Sequence, residues 1–124
     1  SKVADALNDE GKAIKGSRIL VLGLAYKANV DDCRESPSFV LMEKLEAKGA
    51  TVEYNDSFVP VIPATREHAH FTGKQSVGIE DAYDLILVST DHSEYKTFDF
   101  SVYACPIVDS RNCIQHKPVK YFRA

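Results

Sequence analysis

The chain has 124 residues, of which 15 are Lys or Arg and 18 are Asp or Glu, giving a formal net charge of −3 with neutral histidines. Hydrophobic residues make up 44% and charged residues 27%, an ordinary globular composition that excludes a disordered, collagenous or disulfide-scaffold chain. Such a length can bury one sizeable core. The small negative charge provides no general electrostatic attraction to nucleic acid or to an anionic membrane.

No segment has the features of a membrane span or a secretory leader. The longest strongly apolar stretch, residues 19–26, is far shorter than the roughly 20 residues that cross a bilayer. We therefore expect a cytoplasmic protein. Cys33, Cys105 and Cys113 match neither a Cys-x-x-Cys metal pair nor a complete disulfide set, so we expect reduced thiols without a catalytic role.

The apolar residues indicate alternating helices and strands. Helices are predicted over residues 3–15, 37–48 and 92–98, with a short helical turn over 79–82. Strands are predicted over residues 18–25, 51–54, 85–89 and 105–109, with an edge strand over 119–122 and mostly loop over 55–78. Ser36 and Pro37 favour the start of the second helix, since a Ser oxygen caps a free N–H and Pro has none to lose. Gly16 and Gly49 are expected to end the first and second helices.

This alternation is typical of an α/β domain of three layers, with a mostly parallel, open, Rossmann-like sheet. The first strand, helix and strand form a crossover that is nearly always right-handed and sets its two strands parallel. Ligands of such sheets bind beyond the carboxyl ends of the strands, where the strand order reverses. The candidate loops are those that begin at Gly23, Asn55, Ser89 and Asp109.

The loop after the first strand has an unusual composition. Ala25 and Ala28 stand where a dinucleotide-binding turn has glycines, and the P-loop pattern is also absent. Tyr26, Lys27 and Arg34 instead offer an aromatic ring, an ammonium group and a guanidinium group beside a helix N-terminus. These groups suit a ligand that has both a phosphate and a ring.

The loop after the fourth strand adds a further cation. Arg111 closely follows that strand, so we expect it on the same edge of the sheet as Lys27. Asp109 could orient Arg111 or accept a hydrogen bond from a ligand. The alternative is that Lys27 and Arg34 are solvated cations paired with acidic residues of their own loop, because surface ion pairs are common.

Two histidine-bearing segments are weaker candidates. His92, Ser93 and Glu94 could form an acid–base cluster, but the start of a helix is the preferred interpretation because no partner is evident. His68 and His70 offer two nitrogens to a metal ion. Without a third ligand in view, a solvated loop is preferred there.

Four motifs carry a family resemblance. They are Ile-Leu-Val-Leu-Gly-Leu-Ala-Tyr-Lys at 19–27, Asp-Asp-Cys-Arg-Glu-Ser-Pro at 31–37, Tyr-Asn-Asp at 54–56 and Asp-Ser-Arg-Asn at 109–112. Together they resemble the C-terminal domain of the UDP-glucose/GDP-mannose dehydrogenase family, in order and over nearly the whole chain. The resemblance implies that residues 1–16 end a long central helix and that residues 17–124 form a C-terminal nucleotide-sugar-binding domain.

Members of that family oxidise the C6 alcohol of a nucleotide sugar to a carboxylate in two NAD-dependent steps, through a cysteine thioester. The resemblance implies that Tyr26 lies beside the nucleotide, that Lys27 and Arg111 contact the substrate, and that Arg34 reaches toward the NAD pyrophosphate. It assigns no catalytic residue and no metal ligand to this chain. NAD is bound mainly by an N-terminal domain that, like the catalytic cysteine, lies outside this sequence, so this chain alone is expected to be inactive.

The implied partners are a UDP-sugar, the NAD domain of the same enzyme and further copies in a homo-oligomer. Residues 90–96 look more like members acting on UDP-N-acetyl-hexosamines than like those acting on UDP-glucose. The alternative from another class is a stand-alone α/β interaction or regulatory domain without catalysis. In that case the cations at the sheet edge are merely solvated.

Overall fold

A five-stranded parallel sheet organises the chain. In the computed structural model, which describes residues 1–124, the strands are β1 (Arg18–Leu22), β2 (Thr51–Asn55), β3 (Leu85–Val88), β4 (Ile107–Asp109) and β5 (Tyr121–Arg123). Their order across the sheet is β2-β1-β3-β4-β5, and every neighbouring pair is parallel. The predicted Rossmann-like α/β fold is confirmed, and the sheet is wholly rather than mostly parallel.

The central strands are buried on both faces, as their unbroken apolar runs require. Every residue of β3 and β4 is buried, and β1 exposes only Arg18. Ile19 and Val21 point into one core, whereas Leu20 and Leu22 point into the other. This alternation follows from the two-residue period of a strand. The sheet therefore separates two apolar layers.

Helix α2 (Pro37–Ala47) covers one face of the sheet and agrees with the prediction. Ser36 caps its start, with Oγ accepting a hydrogen bond from the Ser38 N–H at 3.2 Å. Gly49, with a φ of 95°, follows its end. On the opposite face lies the short helix α3 (Ser93–Thr97), whose Tyr95 is completely buried in the second core.

Helix α1 is shorter than predicted, because it spans Lys2–Asp9 rather than residues 3–15. Gly11 adopts a φ of 69°, and the N–H groups of Gly11 and Lys12 return to the carbonyls of Asn8 and Leu7. This is a left-handed glycine cap of the Schellman type, which ends the helix five residues before Gly16 could. The buried face of α1 belongs to the same core as α2, so the helix packs as part of the domain.

Other boundaries differ for local reasons. β1 ends at Leu22 instead of residue 25, because Gly23 turns the chain with a φ of 93°. β4 begins at Ile107 instead of residue 105, since Pro106 has no N–H for a ladder. Residues 79–82 form no helix, and Ala69–Phe71 adds a 3₁₀ turn to the loop after β2. No helix combines the length and the apolar character needed to cross a membrane.

Candidate functional site

The strand order reverses between β1 and β3, so the loops after these strands border a crevice at the carboxyl edge of the sheet. Gly23 begins the β1 loop with a φ of 93°. A Cβ at this position would lie 2.3 Å from Thr90 Cβ in the β3 loop. Only a glycine permits so close an approach with this backbone conformation.

The first amides of the β1 loop are bound by a buried carboxylate. Asp56, directly after β2, is completely buried, and its Oδ2 accepts the N–H groups of Leu24 at 2.7 Å and Ala25 at 2.8 Å. Its Oδ1 accepts the Phe58 N–H at 2.8 Å. Burial alone raises the pKa of Asp56, but hydrogen bonds from His92 and the two loop amides outweigh it, so the pKa lies below its ordinary value.

The occupied amides decide whether this loop fits a dinucleotide. A Rossmann dinucleotide site needs glycines and free N–H groups for the pyrophosphate. Here the Leu24 and Ala25 N–H groups belong to Asp56, and the Ser38 N–H at the start of α2 belongs to Ser36. The residues present therefore do not form the backbone cradle of an NAD site. These three amides are therefore not available to a ligand at this edge.

His92 connects the same carboxylate to the middle of the β1 loop. Its Nε2 lies 2.8 Å from Asp56 Oδ2, and its Nδ1 accepts the Asn29 N–H at 2.8 Å. Because Nδ1 accepts this bond, the ring proton is assigned to Nε2, which donates it to the carboxylate. Asn29 also exchanges two side-chain hydrogen bonds with Ser93, at 2.8 and 3.0 Å. The predicted helix start at residue 92 agrees with the structure, but the sequence reasoning missed this role of the imidazole.

Tyr26 and Lys27 lie on the anchored loop and are open to solvent. Tyr26 is 56% exposed and borders a shallow cleft of about 290 Å³ together with Asp32, Arg34 and Glu35. Lys27 is exposed and takes part in none of the ion pairs or hydrogen bonds made by side chains within the chain. Its ammonium group is free to meet an anion.

Arg34 is paired within its own loop. Its Nε and Nη2 donate to the two carboxylate oxygens of Asp32, each at 3.1 Å, and its side chain is 82% exposed. These hydrogen bonds lower the pKa of Asp32. The alternative interpretation of loop cations as locally paired groups thus describes Arg34, but not Lys27.

Arg111 lies on the β4 loop of the same edge, which the β3 loop separates from the β1 loop. Its Nη2 is 3.4 Å from Asp91 Oδ1, and its N–H donates to Asp109 Oδ1 at 3.1 Å. Asp109 is completely buried, so it does not face a ligand. Its other oxygen accepts three more bonds, from Cys113 N, Ile114 N and Tyr121 OH. Of the two roles considered for Asp109, only the ordering of the Arg111 turn agrees with the structure.

The candidate residues share one edge of the sheet, but this chain does not enclose them in one hollow. Tyr26 and Arg34 share the shallow cleft, and Arg111 pairs with Asp91. Lys27 does not line that cleft. The β1, β3 and β4 loops are nevertheless linked, because His92 contacts the β1 loop and its neighbour Asp91 contacts Arg111.

The histidines of the long loop after β2 contact helix α2. His68 stacks on Phe39 with ring centroids 4.8 Å apart, and its Nδ1 lies 2.5 Å from Glu43 Oε1. His70 Nε2 lies 3.8 Å from Glu46 Oε1. No group of three His, Cys, Asp or Glu side chains is placed to hold a metal ion.

The three cysteines are free and buried, in agreement with the expectation of reduced thiols. Burial raises the pKa of Cys33, and it raises those of Cys105 and Cys113 to about 12 and about 11. Such thiols are almost entirely protonated at neutral pH. They are therefore poor nucleophiles in the folded chain.

The fold and the edge together define a class of protein: a Rossmann-like α/β domain whose loop at the switch point exposes side chains and lacks a glycine-rich backbone turn. The model of the UDP-glucose/GDP-mannose dehydrogenase family, UDP binding domain, matches residues 20–116. The chain belongs to this family.

Among the curated relatives, the UDP-glucose 6-dehydrogenase YwqF of Bacillus subtilis is 34% identical over 123 residues, which cover 90% of this chain and 26% of the relative. A UDP-N-acetyl-D-mannosamine dehydrogenase of Methanocaldococcus jannaschii is 33% identical over 82 residues, covering 66% of this chain and 18% of the relative. The solved structure of a UDP-D-ManNAc dehydrogenase from Pyrococcus horikoshii matches with a TM-score of 0.75 at 25% identity, covering 98% of this chain and 28% of that one. The chain thus spans at most 28% of the length of these three proteins.

Proposed function

We propose that the chain is the nucleotide-binding C-terminal domain of an NAD-dependent UDP-sugar 6-dehydrogenase, which oxidises the sugar C6 alcohol to a carboxylate. Membership of the family supports the nucleotide-binding role. The names of the relatives support UDP-sugars as the substrate class, with UDP-glucose and UDP-N-acetyl-hexosamines both within the proposal. Residues 17–124 would form this domain, and residues 1–16 would end the helix that connects it to the remainder of a homo-oligomeric enzyme.

The observation that carries the proposal is the state of the β1 loop. Its Leu24 and Ala25 amides are internally bonded, whereas Tyr26 and Lys27 are exposed and Lys27 has no partner. A ring and a free ammonium side by side suit a pyrimidine base and a diphosphate. Arg111, on the β4 loop of the same edge, can present its planar guanidinium to the polar edge of the same ligand.

Arg34 is proposed to contact the pyrophosphate of NAD, and the geometry of its ion pair supports this role. The guanidinium already binds an anion through two parallel hydrogen bonds to Asp32. A phosphate offers the same arrangement of two oxygens, so it could replace the carboxylate. The remaining contacts to NAD, and the cysteine that forms the thioester, would come from the rest of the enzyme.

A titration of the 124-residue chain with UDP, followed by NMR of its backbone amides, tests the proposal. We expect the largest shifts in the β1 and β4 loops. Lys27→Ala and Arg111→Ala should each weaken binding about tenfold, the loss of one charge-assisted contact. Lys48→Ala is the matched control, because this exposed lysine ends α2 at the opposite edge of the sheet. Absence of shifts at millimolar UDP, or equal binding by all variants, would favour the stand-alone interaction domain.

Kinetics of the complete enzyme test the two assigned ligands separately. Lys27→Ala should lower kcat/KM for the nucleotide sugar at least tenfold, since the ammonium group is assigned to the substrate. Arg34→Ala should raise KM for NAD and leave KM for the sugar nucleotide unchanged. An unaltered KM for NAD in Arg34→Ala would contradict the assignment of that residue.

A further inference from the structure

Two backbone anchors flank Tyr26 and Lys27, and both lead to the same buried pair. The Ala25 N–H donates to Asp56 Oδ2 at 2.8 Å, and the Asn29 N–H donates to His92 Nδ1 at 2.8 Å. His92 Nε2 lies 2.8 Å from the same Asp56 oxygen, so the two side chains join these two backbone bonds into one hydrogen-bond network. The segment that carries both exposed side chains is therefore tied at its two ends through one imidazole and one carboxylate.

Because the two side chains of this hydrogen-bond network are buried, the network favours one orientation and one tautomer of the imidazole. The His92 and Asp56 side chains are both 0% exposed, so water cannot replace a partner lost between these two groups, whereas the bond from the exposed Asn29 is only partly buried. The His92 ring packs against the rings of Phe58 and Tyr95, with centroids 4.8 and 5.7 Å away. A flipped ring would direct carbon atoms at the Asn29 N–H and at the carboxylate. Only the observed orientation, with the proton on Nε2, satisfies both partners.

We propose that His92 is a positioning residue for nucleotide binding, which as the Nε2–H tautomer holds the Tyr26 and Lys27 segment in the conformation that meets the ligand. This inference rests on the proposed function, because it deepens the role of the same loop. His92 itself does not reach the ligand. It acts through the Asn29 amide, and Asp56 orients it.

Two substitutions of His92, by Gln and by Asn, separate its hydrogen bond with Asp56 from its hydrogen bond with the Asn29 N–H. In His92→Gln the side-chain amide nitrogen can occupy the position of Nε2, which keeps a donor for Asp56 and removes the acceptor for the Asn29 N–H. In His92→Asn the side-chain oxygen can occupy the position of Nδ1, which keeps the bond to Asn29 and removes the donor to Asp56. A purely structural role predicts that loss of folding stability and loss of nucleotide affinity go together. A positioning role predicts that they separate.

NMR of the labelled chain measures each step. The imidazole nitrogens of His92 should report a proton on Nε2 and none on Nδ1 at pH 7, and any other state overturns the proposal. His92→Gln should accelerate hydrogen exchange of the Asn29 amide and weaken UDP binding, each about threefold to tenfold, with little change in Tm. His92→Asn should lower Tm while retaining most of the protection of that amide. His116→Gln, an exposed histidine, is the matched control and should change none of these quantities.

Failure of this inference can be told apart from failure of the proposed function. If the wild-type chain shows no response to UDP, the nucleotide role falls and the positioning of a nucleotide site falls with it. If the wild-type chain binds UDP and His92→Gln binds it equally well, only the positioning role is overturned. Unchanged exchange of the Asn29 amide in His92→Gln overturns the anchor itself, whatever the result with UDP.

Discussion

Asp56 and Asp109 accept hydrogen bonds in the same pattern in two regions of the molecule. Asp56 directly follows β2 and Asp109 is the last residue of β4; each is completely buried and uses one oxygen to accept the N–H two residues further on. The second oxygen of each accepts three bonds. At Asp56 these donors lie 31 to 36 residues away, whereas at Asp109 they lie 4, 5 and 12 residues away.

The difference shows what decides whether such a carboxylate acts locally or across the sheet. Asp109 closes its own turn and ties it to Tyr121 of the edge strand β5. Asp56 joins three loops, because β2, β1 and β3 are neighbours at the switch point. The region around Asp56 therefore couples folding to the shape of the candidate site, and the region around Asp109 orders one turn of it.

The largest expected effect comes from removing each carboxylate. Asp56→Ala leaves four donors without an acceptor, three of them in buried hydrogen bonds, and we expect a loss of about 4 kcal/mol in the free energy of unfolding. Asp109→Ala should lose about 3 kcal/mol, because the Tyr121 hydroxyl is only partly buried and can turn to water. Urea denaturation measures both. An equal or larger loss for Asp109→Ala would contradict the comparison.

The close approach at the start of the β1 loop gives the next largest effect. Gly23→Ala places a methyl group 2.3 Å from Thr90 Cβ at a φ of 93°, and should cost about 3 kcal/mol. Gly11→Ala is the control, since its φ is 69° and nothing lies within 4 Å of the added carbon. It should cost about 1 kcal/mol through backbone strain alone. Similar losses in the two variants would show that the contact with the β3 loop does not constrain the β1 loop.

The ionisation of Asp56 predicts a dependence of stability on pH. Because hydrogen bonds outweigh burial and lower its pKa in the folded state, its ionised form stabilises the fold above the ordinary carboxyl pKa of about 4. This stabilisation is lost as the pH falls through the lowered pKa. The difference in unfolding free energy between the wild type and Asp56→Asn should therefore narrow from about 2 kcal/mol at pH 7 as the pH drops below about 4. A constant difference between pH 7 and pH 3 would contradict this assignment.

The smallest expected effect is a change in thiol labelling that reports each region separately. Cys33 lies in the β1 loop and Cys113 in the Asp109 turn, while Cys105 lies in neither. Asp56→Asn should raise the labelling rate of Cys33 relative to Cys105 about threefold at pH 8, and Asp109→Asn should do the same for Cys113. If the labelling rates of all three thiols rise together in both variants, the β1 loop and the Asp109 turn open as one unit.

The local parts of this fold were predictable from the sequence. Unbroken apolar runs predicted β1 and β3, and Ser36 with Pro37 and Gly49 predicted both ends of α2. The error at α1 had a visible signal in Gly11, which supplies the left-handed cap within the expected helix. These successes depend on interactions within a few residues of each other.

The candidate site was predictable only in part. The loops at the sheet edge followed from the strand pattern, and the resemblance supplied Tyr26, Lys27, Arg34 and Arg111. Asp56 and His92 were missed as anchors, although an acidic residue directly after a buried strand was a signal for the first. Apart from the Phe58 N–H, the partners of these two side chains lie more than 30 residues away, and no spacing rule connects them.

The sequence by itself determined the order of the elements, the burial of the central strands and the family to which the motifs point, because hydrophobic periodicity and capping act over short distances. Tertiary structure alone decided that Asp56 takes the amides of the β1 loop and that His92 joins this carboxylate to Asn29. The physical reason is that a buried polar group must find a partner wherever the sheet order brings one. Which partner it finds depends on three strands meeting at one edge.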